Sequence, residues 1–343
     1  MGKERSNKEM SLTTLAIVVP CYNEKDVLPE TAKRLILLID DLIIKNKVSK
    51  DSLIYFIDDG SRDGTWEFIE KQANASPRVK GVKLSRNIGH QNALLAGLHV
   101  AEGDAIVSID ADLQDDPSAI EQMIDELHAG KDVVYGVRNL RDTDTFFKRA
   151  SAKVYYKLLH WMGVHVVFNH ADYRLLSRRA LNALKEYDEV NLFLRGIIPT
   201  IGFPSSVVTY RRGERFAGES KYPLRKMLAL ATDGITSFSA VPLRLIALLG
   251  ILVFMCTLAL SGWVLWLSFA KGNTVPGWAS SVLPMYLLGG IQLLSIGVVG
   301  EYIAKVYKEI KRRPRFIIDK ITSSIDCSIT HDRNRAPNTR NDY

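Results

Sequence analysis

Five short apolar runs, each closing on polar or charged residues, constrain this chain more than any other feature. Leu15–Pro20 (LAIVVP), Leu53–Ile57, Val79–Leu84, Ala105–Ile109 and Val133–Val137 read as strands buried on both faces. Apolar periodicity between them predicts helices over Val27–Lys45, Thr65–Asn74, Gln91–Ala101 and Pro117–Leu127. Strand and helix in alternation imply an α/β fold, a mostly parallel sheet with helices on both faces. Such sheets bind ligands beyond the carboxyl ends of their strands. Here those ends carry Pro20-Cys21-Tyr22-Asn23-Glu24, Asp58-Asp59-Gly60-Ser61, Asp110-Ala111-Asp112-Leu113-Gln114 and Arg138. One rim of the sheet is therefore polar, and that rim is the expected site.

Asp110 and Asp112, one residue apart in a turn, can both reach a hard cation such as Mg²⁺ or Mn²⁺. Such an ion takes the rest of its shell from water and substrate phosphates. The plain alternative is a solvated acidic turn. Asp58 and Asp59 can accept hydrogen bonds from a ribose or a base N–H, or can simply form a turn with Gly60 and Ser61. Neither a phosphate-binding G-x-x-x-x-G-K-[ST] loop nor a G-x-G-x-x-G after the first strand is present, which leaves P-loop and classical dehydrogenase readings without support.

From Leu243 the character changes. Leu245–Phe269 holds no charged residue and is long enough to cross a bilayer; Val282–Ile303 is a second such run, interrupted by glycines and Glu301. Basic residues flank the pair, with Arg225, Lys226 and Arg244 before it and Lys305, Lys308, Lys311, Arg312, Arg313 and Arg315 after it. By the positive-inside rule both flanks face the cytosol and the short connection lies outside. The net charge of +7 gathers near this membrane region, where anionic headgroups attract it. No basic, aromatic-interleaved surface suited to nucleic acid appears elsewhere. Small residues from Gly289 to Gly300 suit close helix packing in lipid, and a homo-oligomer through the transmembrane helices is expected. Three scattered cysteines form neither a disulfide framework nor a zinc site. Residues 1–11 are polar, without a secretory signal. The expected organisation is a polar tail (1–11), a cytosolic catalytic domain (12–210), a juxtamembrane interfacial segment (211–242), two transmembrane helices (243–304) and a basic cytosolic tail (305–343), polar and disordered after Lys320.

Taken in order, Val18–Glu24 (VVPCYNE), Asp58–Thr65 (DDGSRDGT) and Asp110–Gln114 (DADLQ) resemble family 2 glycosyltransferases of the GT-A fold. Ala171–Arg178 (ADYRLLSR), Glu214–Tyr222 (ERFAGESKY) and the paired spans ending in Gly300-Glu301-Tyr302 resemble a narrower branch, the polyprenyl-phosphate glycosyltransferases, which include bactoprenol glucosyltransferases and dolichyl-phosphate mannose synthases. The likeness runs from about Leu15 to about Phe316. The resemblance implies a Rossmann-like GT-A domain followed by a C-terminal two-helix transmembrane hairpin. It also implies roles. Pro20, Tyr22, Asn23, Glu24, Asp58, Asp59, Asp110 and Ala111 would bind the nucleotide. Asp110 and Asp112 would hold the metal and diphosphate, with Gln114 nearby. Asp172 would be the third carboxylate, facing the reacting sugar. Arg138, Lys148, Arg149, Ser220 and Lys221 would face donor or acceptor phosphates.

The implied reaction is metal-dependent, inverting transfer of a single sugar from a nucleotide sugar to a polyprenyl phosphate at the cytosolic face of the bacterial inner membrane. A Q-x-x-R-W motif of processive synthases is absent. The acceptor phosphate is already anionic, so Asp172 is expected to orient a substrate or steady an oxocarbenium-like centre rather than act as a strong base. Its plain readings are a helix N-cap or an ion pair with Arg174; His170 is a rival base. Glucose from UDP-glucose is the favoured donor, with GDP-mannose, UDP-N-acetylglucosamine and UDP-aminoarabinose as alternatives. A membrane protein that binds nucleotide sugars without activity and a lipid or sugar translocator are the rival classes; two spans are too few to enclose a path unless several chains assemble.

Overall fold

The structure, a computed structural model, describes residues 12–138, 170–189, 194–211 and 278–322, with scattered helical positions between 243 and 266. Among the described residues, eight strands form one sheet. β1 (Leu15–Cys21), β2 (Leu53–Asp58), β3 (Val79–Leu84), β4 (Ala105–Ser108) and β5 (Val133–Arg138) coincide with the five apolar runs. Between them lie α1 (Leu28–Ile44), α2 (Thr65–Ala75), α3 (His90–Val100) and α4 (Ala119–His128). Then follow β6 (His170–Ser177), α5 (Arg178–Lys185), α6 (Leu194–Thr200), β7 (Ser205–Tyr210), α7 (Trp278–Ile310) and β8 (Ile318–Ile321).

The spatial order is β7-β5-β6-β4-β1-β2-β3-β8. The β4-β1-β2-β3 block is parallel throughout, and β7 runs parallel to β5. β6 enters antiparallel between β4 and β5, and β8 adds antiparallel to the edge of β3. The sheet is thus mixed but mostly parallel. β8 lies in the 305–343 stretch read from sequence as a tail. Within that stretch, Ile318–Ile321 pairs with β3 as an edge strand of the sheet.

Burial explains why the first strands read as unbroken apolar runs. Leu15, Ile17 and Val19 point to the core under α1, α2 and α4, while Ala16 and Val18 point to the core under α3, α5 and α6. Both faces are covered, so neither set alternates with polar residues. α3 sits unusually close to the sheet because position 97 is glycine. A Cβ there would meet Val18 Cγ1 at 2.4 Å and Ile57 Cγ1 at 2.7 Å. At the rim, Gly60 takes φ +69°, and a Cβ would meet the Asn87 backbone nitrogen at 2.6 Å. Close packing there presses the β2–α2 loop against the β3–α3 loop.

α7 is one helix of 33 residues and extends beyond the 282–303 run at both ends. Among the described residues no helix is long and apolar enough to cross a membrane. The expected two-helix transmembrane hairpin is therefore not found there. The 245–269 run falls mostly outside the described residues, as does the 211–242 segment apart from Arg211.

Candidate active site

A cleft of about 450 Å³ opens where β1, β2 and β4 end. Pro20, Tyr22, Glu24, Asp59, Asp110, Ala111 and Asp112 line it, all singled out from the sequence. Cys21, Asn87, Gly89, His90 and Ala93 complete the wall. Crossovers of a parallel sheet bring residues from distant loops to one rim, which is why motifs so far apart in sequence meet here.

Two of the motif residues build the rim instead of lining the cleft. Asn23, at φ 54°, donates its backbone N–H to Ser61 Oγ (3.0 Å) and accepts from Arg62 N–H at its Oδ1 (2.9 Å). It fastens the β1–α1 loop to the β2–α2 loop. Asp58 is fully buried; its Oδ1 accepts from Ser61 N–H at 3.2 Å, while its Oδ2 has no hydrogen-bond partner among the described residues. Burial pushes its pKa up. Asp59 reaches the cleft, and both of its oxygens are engaged. Oδ1 accepts from Ile88 N–H (2.8 Å) and Oδ2 from Gly89 N–H (2.9 Å). Its carboxylate therefore holds the loop that leads into α3.

Asp110 and Asp112 stand on the β4 side of the cleft. Asp112 Oδ1 accepts from Gln114 N–H at 3.1 Å, and Leu113 between them takes a left-handed φ of 57°. Gln114 itself is buried. Burial pushes the Asp110 carboxyl up to about 6; His90 opposes the shift, and the acids Asp172, Asp115 and Asp112 add to it. Hard carboxylate oxygens under such a surplus of negative charge fit a divalent cation. Among the described residues, no group of three or more His, Cys, Asp or Glu is arranged to hold a metal by itself.

Asp172 lies behind Asp110 on β6, almost wholly buried. It is not a helix N-cap; Ser177 caps α5 by accepting from Ala180 N–H. Its Oδ1 accepts from Arg174 Nη2 and from Arg195 Nε (3.2 Å), and its Oδ2 from Arg195 Nη2 (3.2 Å). His90 Nε2 stands 3.5 Å from that Oδ2 and 3.4 Å from Asp110 Oδ1. Burial alone would raise the Asp172 pKa, but His90, Arg174 and Arg195 hold it well below the usual carboxylate range. Burial lowers the His90 pKa, and Asp172 and Asp110 more than offset it, so the imidazole is raised above its ordinary value. A carboxylate held this way is a poor proton acceptor at neutral pH.

Arg138 faces inward. Its Nη2 lies 3.1 Å from Asp115 Oδ1, and its Nε donates to Tyr210 Oη at 3.2 Å. As placed, its charge is answered by a buried carboxylate rather than turned to the cleft. Lys148, Arg149, Ser220 and Lys221 lie outside the described residues. So does the side chain of His170.

Residues 16–185 match the sequence profile "Glycosyl transferase family 2". An uncharacterised glycosyltransferase of Bacillus subtilis (strain 168) is 49% identical over 91% of this chain and 93% of its own. The chain belongs to glycosyl transferase family 2. It is a glycosyltransferase of α/β GT-A fold. A second relative, the SfII prophage-derived bactoprenol glucosyl transferase of Shigella flexneri, is 38% identical over 89% of this chain and 97% of that one. The prophage bactoprenol glucosyl transferase homolog of Escherichia coli (strain K12) is 38% identical over 90% and 99%. Among solved structures, a Mycobacterium tuberculosis glucosyl-3-phosphoglycerate synthase in complex with Mn²⁺, UDP and phosphoglyceric acid aligns with a TM-score of 0.45. It is 20% identical and covers 65% of this chain and 76% of that one.

Three residues of the candidate site carry no signal of their own in the sequence. His90 follows a glycine at a helix start, Arg195 belongs to no motif, and Asp115 reads as one more acid in a turn. The starts of α3 and α6 bring His90 and Arg195 to Asp172 on β6, while Asp115 pairs with Arg138 of β5 and Tyr210 of β7.

Proposed function

We propose that this glycosyltransferase transfers a single glucose from UDP-glucose to a polyprenyl monophosphate, undecaprenyl phosphate, at the cytosolic face of the bacterial inner membrane. The observation that carries this reading is the cleft, where Tyr22, Glu24 and Asp59 at the ends of β1 and β2 adjoin Asp110 and Asp112 at the end of β4. The first group suits a nucleoside and the second a diphosphate. Asp172, one strand further along, would face the sugar. The names of the relatives from Shigella flexneri and Escherichia coli support the lipid acceptor and glucose.

Transfer breaks the bond between the anomeric carbon and the β-phosphate oxygen, and the electron pair stays on that oxygen. A non-bridging oxygen of the acceptor phosphate forms the new bond on the opposite face, which inverts the centre. Asp110 and Asp112 would hold Mg²⁺ or Mn²⁺, which when bound neutralises charge growing on the leaving diphosphate. The acceptor oxygen needs no deprotonation. Asp172, engaged by Arg174, Arg195 and His90, is suited to fixing the sugar or steadying positive charge at its anomeric carbon. Lys148, Arg149, Ser220 and Lys221 would receive the lipid phosphate, and the apolar runs at 245–269 and 282–303 would keep the domain at the membrane.

A transfer assay in detergent tests the reading. The full chain is given undecaprenyl phosphate and, in turn, labelled UDP-glucose, GDP-mannose, UDP-N-acetylglucosamine and UDP-aminoarabinose. Fastest label transfer from UDP-glucose into lipid is expected. Preference for another donor overturns the glucose assignment alone; no labelled lipid from any donor overturns the reaction.

A further inference from the structure

His90 has entered so far only as one of three groups that engage Asp172, yet it also faces Asp110. It opens α3 and lines the cleft, and its Nε2 lies between Asp110 Oδ1 at 3.4 Å and Asp172 Oδ2 at 3.5 Å. Its place is set from both ends of the helix. Before it, the Asp59 carboxylate grips Ile88 N–H and Gly89 N–H, with Gly89 at φ +89°. Behind it, Gly97 lets α3 press onto Val18 and Ile57, so the helix has little room to shift. The sheet order adds direction. β2 and β1 lie on one side of β4, and β6 lies on the other. Crossing the rim from Asp59 to Asp172 passes Asp110 and His90 on the way.

Resting on the transfer reading above, we propose that His90 is a positioning residue that ties the sugar-facing Asp172 to the diphosphate-facing Asp110. The two carboxylates come from different strands, β6 and the end of β4. Without a link between them, the sugar end and the phosphate end of a donor would be located independently. A displacement of about 1 Å in a reacting geometry costs on the order of a hundredfold in rate. Asp59 belongs to the same device. It reaches the nucleoside side of the cleft, and through Ile88 and Gly89 it sets where His90 stands.

The test uses the full chain in detergent, with His90→Ala, His90→Gln, Asp172→Asn and the double variant His90→Ala/Asp172→Asn. UDP affinity by calorimetry reads the nucleoside and diphosphate end; kcat and KM for UDP-glucose read the sugar end. His90→Ala should leave UDP affinity within about threefold while kcat falls about a hundredfold. His90→Gln should recover part of that loss, because its amide can donate to one of the two carboxylates. In the Asp172→Asn background, His90→Ala should add little, since the group it acts through is already altered. Losses that multiply in the double variant overturn the proposal, as does a fall in UDP affinity parallel to kcat. If the wild type labels no lipid at all, the transfer reading fails by itself. His90 is then judged by affinity for UDP-glucose relative to UDP. A ratio lowered by His90→Ala upholds its role at the sugar end, and an unchanged ratio removes it.

Discussion

Tyr210 donates its hydroxyl to Asp115 Oδ1 at 2.6 Å, joining the last residue of β7 to the turn that follows the Asp110-Ala-Asp112 motif. Both side chains are buried, and Arg138 reaches the same oxygen at 3.1 Å. Tyr173 stacks edge-on against Tyr210 at 5.1 Å and donates to the Asp116 carbonyl at 2.9 Å. Aromatic and ionic contacts thus brace the turn after Asp110-Ala-Asp112 from the β5, β6 and β7 side. Tyr210→Phe keeps the ring but removes one of Asp115's donors, and an under-satisfied buried carboxylate costs about 1–3 kcal/mol. The catalytic domain should melt at a lower temperature, and Arg138→Ala should lower it further. A Tyr210→Phe variant as stable as wild type would show that the hydroxyl contributes nothing to the brace.

Asp112→Asn tests the metal role. The substitution keeps size and the bond from Gln114 N–H but removes the charge. A bound cation is worth several kcal/mol of charge stabilisation, so transfer should fall by at least about a hundredfold. The melting temperature should hardly change. Excess EDTA should bring wild type to a similar level, and added Mn²⁺ or Mg²⁺ should restore wild type only. Full turnover in EDTA would remove the cation from the mechanism.

The pH dependence of stability follows from Asp110. Its folded pKa, about 6, lies above the ordinary 3.8, so the folded chain holds this proton more tightly than the unfolded chain does. The stability it contributes is fully present below the unfolded value and is lost as pH rises through about 6. His90 is also raised, and its share is lost as pH rises through its folded value. His99, lowered by burial, works in the opposite sense. In EDTA, melting temperature should therefore fall between about pH 5 and pH 7, more steeply in wild type than in Asp110→Asn. A cation favours the ionised carboxylate, so Mn²⁺ with UDP should flatten the wild-type slope. Equal slopes in the two proteins would mean that Asp110 does not titrate in this window.

How much of this was legible beforehand depended on whether one residue's neighbours in sequence are also its neighbours in space. β1 to β5 could be read because both faces of each strand are buried, which writes an apolar run. β6 could not, because Asp172 and Arg174 on one face break the pattern, and their pairing is visible only when β6 lies between β4 and β5. The motif VVPCYNE marked a strand end, but Asn23's role as a link to Ser61 and Arg62 needed the second loop to be in place. Asp58 and Asp59 look equivalent in sequence. Strand alternation sends one into the protein and leaves the other at the cleft.

β8 gives the last prediction. Ile318–Ile321 pairs with the outer edge of β3, with Ile318 opposite Leu84 and Ile321 opposite Val82. Ser85 N–H donates to the Ile317 carbonyl at 3.0 Å, Thr322 N–H to the Gly81 carbonyl at 2.9 Å, and Gly81 N–H to Thr322 Oγ1 at 2.7 Å. Lys320 Nζ meets Glu70 on α2 at 2.5 Å. Just upstream, Phe316 packs edge-on against His99 of α3 at 5.4 Å, and Arg315 donates to the Tyr187 carbonyl at 3.0 Å. These contacts tie the end of α7 to the sheet that carries the cleft. Ending the chain after Ile317 would bare the backbone groups of β3, and each lost hydrogen bond is worth about 1 kcal/mol. Such an edge also recruits other strands. This truncation should lower the melting temperature and raise aggregation, whereas ending after Ser323 should do neither, because the paired residues remain. If the shorter chain melts and stays dispersed like the longer one, β8 is an appendage and the catalytic sheet ends at β3.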